Sequence, residues 1–144
     1  MFEDRAIQPN ENYWRMIGTS DLKDLRFSKD HEWVRIDGNR AVIGITDHAQ
    51  HSLGDIVFVE LPVLGSVLNA SDVLGVVESV KAASDVYTPI TGKVVQVNED
   101  LADHPEKINE QPYESWIAVL EIEDASIMET MMNETEYEAF CQEE

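Results

Sequence analysis

Residues 75–85 read Gly75-Val76-Val77-Glu78-Ser79-Val80-Lys81-Ala82-Ala83-Ser84-Asp85. A β-branched run comes first, small residues follow, and one lysine stands between them. The pattern predicts a strand, a tight turn and a second strand, with Lys81 at the turn. Such a lysine holds its amine in water on a rigid support. An enzyme can grip the tip from both sides and acylate it. Gly65 lies sixteen residues before Lys81 and Gly92 eleven residues after it. Each marks a break between β-type segments, where positive φ is expected.

Most exposed hairpin lysines are ordinary solvated charge, and edge strands use them against aggregation. The spacing of the glycines and the string Glu78-Ser79-Val80-Lys81-Ala82 weigh against that reading here.

On either side of this hairpin the chain breaks into short β segments. Glu32 to Ile36 alternates in polarity and precedes the hairpin turn signal Asp37-Gly38. Ala41 to Ile45 reads as a buried strand. Thr46 to Gly54 reads as one or two helical turns, capped by Thr46 or Asp47 and ended by Gly54. Asp55 to Glu60, Gly92 to Val97 and Trp116 to Ile122 are further strands. Asn98 to Tyr113 is polar, carries Pro105 and Pro112, and is expected to be mainly loop. Ser126 and Glu129 have the spacing of a capping box. Tyr137, Phe140 and Cys141 form one apolar face of a C-terminal helix. The expected class is mainly β: a sandwich with a short internal helix and C-terminal helices.

The chain has 144 residues and a formal net charge of −19. That length suits one domain with short extensions. The charge excludes nucleic acid and anionic membrane surfaces as natural partners, since both need a basic footprint. It favours basic docking surfaces on partner proteins. Cys141 is the one cysteine, so no intrachain disulfide forms. No run of eighteen apolar residues occurs, so no membrane-spanning segment is expected. Residues 1–20 are acidic enough to argue against a secretory or transit signal and are expected to be a poorly ordered leader. Residues 143–144 are expected to be an acidic tail.

His48 and His51 stand at i, i+3, a spacing that suits zinc, but no cysteine pair or second histidine cluster completes a set, and no metal site is expected. No phosphate-binding glycine loop and no nucleophile elbow is present. The chain therefore shows a prepared attachment site without an evident catalytic apparatus.

Glu78 to Ala82, with Thr88-Pro89-Ile90-Thr91-Gly92, resembles the lipoyl and biotinyl carrier domains. Biotin carriers usually have methionine on both sides of the lysine. Val80 and Ala82 stand here, so the resemblance leans to lipoate. Phe27 to Trp33, Gly44 to Gln50, Leu53 to Pro62 and Asn109 to Trp116 extend it. Together these strings are similar to the glycine cleavage H proteins over residues 22–142, with the carrier domain expected at 21–142.

The resemblance implies a lipoyl-carrier-type β-sandwich (a barrel-sandwich hybrid) with (R)-lipoate attached as lipoamide on Lys81. It implies Glu78, Ser79, Val80, Ala82 and Ser84 as the neighbours that shape the attachment turn or its recognition. It further implies a non-catalytic, monomeric shuttle that carries an aminomethyl group from the glycine decarboxylase (P protein) to the aminomethyltransferase (T protein). Electrons then pass to the dihydrolipoyl dehydrogenase (L protein), and lipoate attachment enzymes are further partners. The expected compartment is the bacterial cytoplasm, or the mitochondrial matrix. Glu32 and Asp85 are the candidate carboxylates of a groove that holds the loaded arm, with plain solvated charge as the alternative for each. An H-like lipoyl relay for other complexes or for sulfur metabolism, a biotin carrier and an unmodified interaction module are the alternative functions.

Overall fold

The computed structural model describes residues 22–143. The expected leader at 1–20 lies outside the described residues, as does Glu144.

Leu22–Asp24 is a single 3-10 turn. Strands β1 (Arg26–Phe27), β2 (Glu32–Asp37) and β3 (Arg40–Ile45) follow as an antiparallel meander. Gly38 makes the tight turn between β2 and β3 at φ 63°, as the Asp-Gly signal predicts. Helix α1 (Asp47–Leu53) is capped by Thr46, whose hydroxyl accepts from the Ala49 amide. It ends at Gly54, where φ is 85°. Next come β4 (Ile56–Glu60), β5 (Val67–Leu68), β6 (Val73–Ser79), β7 (Ala83–Tyr87) and β8 (Gly92–Val97). Two one-turn helices, α2 (Asp100–Asp103) and α3 (Lys107–Glu110), precede β9 (Ala118–Glu121). A 3-10 turn at Ser126–Thr130 leads into α4 (Glu134–Gln142).

The strands form two antiparallel sheets. One has six strands in the order β1-β2-β3-β9-β8-β5, the other three in the order β4-β6-β7. The main core lies between them: Val34, Ile43 and Leu120 of the larger sheet face Val59, Leu74, Val77 and Val86 of the smaller one. Leu101 of α2 and Ile108 of α3 are fully buried in the same core. A second apolar cluster covers the other face of the larger sheet, where Trp33, Val42 and Val119 pack with Leu25, Phe27, Trp116 and Tyr137. The expected mainly-β sandwich with its internal and C-terminal helices is what forms.

Four local expectations need correction. Gly65 has positive φ, at 88°, but Gly92 does not. Gly92 is needed for closeness instead: a Cβ there would stand 2.6 Å from the Glu121 carbonyl oxygen across the β8–β9 pair. The capping box is not at Ser126. Asn133 and Glu136 supply it at the start of α4, each side chain bonding the other's amide at 2.8 Å. Residues 98–113 are not mainly loop, because Leu101 and Ile108 each give a short turn an anchor to bury. The last strand begins at Ala118 rather than Trp116.

Candidate functional site around Lys81

Strands β6 and β7 pair Val76 with Asp85, Val77 with Ser84 and Glu78 with Ala83, so the hairpin closes on residues 79–82. Ser79 builds that turn. Its amide donates to the Ala82 carbonyl at 2.8 Å. Its hydroxyl oxygen accepts from the amides of both Lys81 and Ala82, each at 3.1 Å. One side chain thus satisfies two main-chain donors that the tight turn leaves without a ladder partner. The Val80 amide donates to the Asp55 carbonyl at 3.1 Å, which ties the tip to the chain entering β4.

Lys81 is exposed. Its Nζ donates to the Ser52 carbonyl at the end of α1, 3.2 Å away. Gly54 leaves room for the lysine stem, since a Cβ there would lie 3.4 Å from Lys81 Cε. The amine is therefore both oriented and reachable. Exposed apolar side chains stand on the turn and on β4: Val80 is 68% exposed, Val57 53% and Phe58 47%. Phe58 sits opposite Glu78 in the β4–β6 register.

Ser84 is expected among the turn neighbours. The structure puts it inside β7, opposite Val77, and Ser79 does the turn-forming work. Glu78 is half-buried at the end of β6, and Ala82 is exposed on the turn.

Glu32 is not solvated charge. It is 2% exposed. Its carboxylate accepts from the Ser28 hydroxyl at 2.5 Å and from the Tyr87 amide at 3.1 Å. The Ser28 oxygen in turn accepts from the Glu32 amide at 3.0 Å. Burial pushes the Glu32 carboxyl up to about 7, against the downward pull of these two hydrogen bonds. Asp85 is exposed on β7, two residues before the strand position that Glu32 bonds. Glu32 is buried and Asp85 is in water, and Asp85 is not among the residues that line the groove beside Glu32. Glu32 also lines a groove of about 250 Å³ with Ser28, Asp30, Tyr87, Met131 and Met132. Polar acceptors and apolar walls both face that space.

The sequence reading missed the Ser52 carbonyl, because a main-chain acceptor has no residue signature. It also missed the burial of Glu32, whose string reads like any alternating strand.

The family model for the glycine cleavage H-protein matches residues 25–144. The chain belongs to the glycine cleavage H-protein family. A glycine cleavage system H protein from Thermoanaerobacter sp. (strain X514) is 57% identical, over 85% of this chain and 98% of the relative. One from Bacillus subtilis (strain 168) is 54% identical, over 85% and 97%. A mitochondrial one, glycine cleavage system H protein 2 of Arabidopsis thaliana, is 52% identical, over 85% and 80%. Among solved structures, the glycine cleavage system H protein from Mycobacterium marinum superposes with a TM-score of 0.74 at 32% identity. It covers 83% of this chain and 98% of its own. The fold is accordingly the lipoyl-carrier β-sandwich.

Proposed function

We propose that Lys81 is the residue that bears the lipoyl group and that the groove beside Glu32 receives the arm. The observation that carries this is the pairing of an exposed, oriented amine with a hairpin tip locked by Ser79. Family membership makes the chain a lipoamide shuttle of the glycine cleavage system. When bound, the lipoyl group supplies a reversible disulfide. The chain supplies position, reach and shelter.

Each role has a physical source. The tip leaves Lys81 exposed to solvent, so one attached arm can enter several partner sites in turn and act at high effective concentration. Val80 on the tip and Val57 and Phe58 on β4 give those partners exposed apolar area. Glu78 and Asp85 give them charge to recognise. The glycine decarboxylase, the aminomethyltransferase, the dihydrolipoyl dehydrogenase and the attachment enzymes are the partners that this reading requires. Asp85 in water on β7, and Glu32 when ionised, would receive a cationic cargo, while Met131 and Met132 offer an apolar wall to the arm. The chain performs none of the catalytic steps in this reading.

The deciding experiment is intact-mass analysis of the chain purified from native cells, beside Lys81→Arg. Arginine keeps the charge but cannot be acylated in lysine's place. The parent should carry one lipoyl mass and the variant none, with the same thermal midpoint. A lipoyl mass retained in the variant refutes the assignment, and a biotin mass on the parent points to the other carrier class.

A further inference from the structure

On the face of the large sheet that α4 covers, three side chains from distant parts of the chain meet. His31 comes from the turn between β1 and β2, His48 from the first turn of α1, and Cys141 from the last turn of α4. One donor atom from each lies within 4.8 Å of the others. His51, the i+3 neighbour that the sequence spacing favours, is not part of the group.

Aromatic packing accounts for some of this cluster. The His31 and His48 rings stack with centroids 4.5 Å apart, and Phe140 lies 5.7 Å from His31. Stacking does not require a thiol within reach of both imidazoles. The rest of the arrangement has the form of a ligand set. His31 is held on both sides by its backbone: its amide donates to the Ser28 carbonyl, and its carbonyl accepts from the Thr46 amide, each at 3.1 Å. Its Nδ1 is 2.7 Å from the Tyr137 hydroxyl, which lies 2.6 Å from the Thr46 hydroxyl. A ring oriented by an outer hydrogen bond is how metal-bound histidines are usually held.

We propose that His31, His48 and Cys141 form a zinc(II) site, with one nitrogen from each imidazole, the Cys141 thiolate and an open fourth position. Imidazole and thiolate together suit a borderline cation of this kind, whereas calcium and magnesium take oxygen. Zinc–nitrogen bonds of about 2.0–2.1 Å and zinc–sulfur bonds of about 2.3 Å place tetrahedral donors roughly 3.3–3.6 Å apart. Rotations that draw the three donors together by about 1 Å therefore suffice. Binding ionises the Cys141 thiol and releases its proton to solvent. An open groove of about 940 Å³, lined in part by Asp47, His48, Glu134, Glu138 and Cys141, gives the cation a way in and an acidic rim. The site would clamp α4 onto α1, the helix whose Ser52 carbonyl holds Lys81.

The test uses cobalt(II) as a spectroscopic stand-in on the full chain, followed by displacement with zinc(II). The parent should show a thiolate-to-cobalt charge-transfer band and the absorption of a tetrahedral ion, both erased by zinc. Cys141→Ser should lose the charge-transfer band and bind zinc at least about tenfold more weakly. His48→Gln should weaken zinc by a similar factor. Tyr137→Phe, which removes the outer hydrogen bond, should cost about 10–100-fold. Far-UV circular dichroism confirms that each variant is folded. Lys81→Arg should bind as the parent does, because it lacks only the sulfurs of an attached arm. The proposal is overturned if the folded parent shows no charge-transfer band. It is overturned equally if Cys141→Ser binds zinc as tightly as the parent (an adventitious ion only), or if binding vanishes in Lys81→Arg. Lipoylation is read separately by mass, so failure here leaves the carrier function standing.

Discussion

The Glu32 carboxylate and the Tyr87 amide, 3.1 Å apart, join the two sheets of the sandwich through a group that titrates. Glu32 stands on β2 of the larger sheet and Tyr87 on β7 of the smaller one. The carboxyl titrates at about 7 in the folded chain against an ordinary value of 4.5. Between those values the native state holds a proton that the unfolded chain has lost. The stability from this group is thus full below about pH 4.5 and is lost as pH rises through about 7. The linkage amounts to roughly 3 kcal/mol at most. Glu32→Gln keeps the shape and removes the titration. The variant should gain thermal stability relative to the parent at pH 8 and show no such gain at pH 5. Parallel pH profiles for parent and variant would contradict the burial argument.

Ser79→Ala removes the acceptor shared by the Lys81 and Ala82 amides. We expect a loss of about 1–2 kcal/mol in denaturant unfolding. Lipoylation should also slow, read as the rise of the modified mass with time under limiting attachment enzyme. A variant modified at the parental rate would mean that the enzyme tolerates a loosened tip.

Gly65 and Gly92 look alike in sequence and should behave differently. Gly65 has positive φ with open space around it, so Gly65→Ala should cost about 1–2 kcal/mol from backbone strain. Gly92 has an ordinary φ, but its added Cβ meets the Glu121 carbonyl oxygen at 2.6 Å. Gly92→Ala should therefore cost about 3 kcal/mol or more, because β8 and β9 must part. Chemical denaturation of the pair decides it, and the opposite ranking would refute this account.

Charge reversal near the tip addresses partner encounter. Glu78→Lys and Asp85→Lys should raise the apparent KM of the aminomethyltransferase for its carrier more than Glu143→Lys does. Added potassium chloride should raise the parental KM, because screening acts over about 8–10 Å. The turnover number should change less. A KM indifferent to salt and to both reversals would transfer docking to Val57, Phe58 and Val80.

What the sequence made legible was local and repetitive. Thr46 and Gly54 mark both ends of α1 because each cap acts within its own turn. The Lys81 hairpin is legible because turn chemistry and alternation agree over residues 75–85. Long-range facts were not. Trp33 and Val34 are both fully buried, since the larger sheet is covered on both faces, and simple alternation cannot distinguish that from one wet face. Glu32 has the same origin: its burial depends on Tyr87, fifty-five residues away. Ser126 has the spacing of a capping box, yet Asn133 holds the position where a helix starts, so spacing alone misplaced the cap.

The contact between Lys81 Nζ and the Ser52 carbonyl has a dynamic consequence. An ammonium offers three donors and a full charge to that carbonyl, whereas an acylated nitrogen offers one N–H and no charge. Modification thus removes most of what moors the side chain to α1. The bare lysine should rest against the helix, and the acylated one should swing. Side-chain order parameters at Lys81 would then be lower in the modified chain, and the freedom of the arm would be created by the same reaction that attaches it.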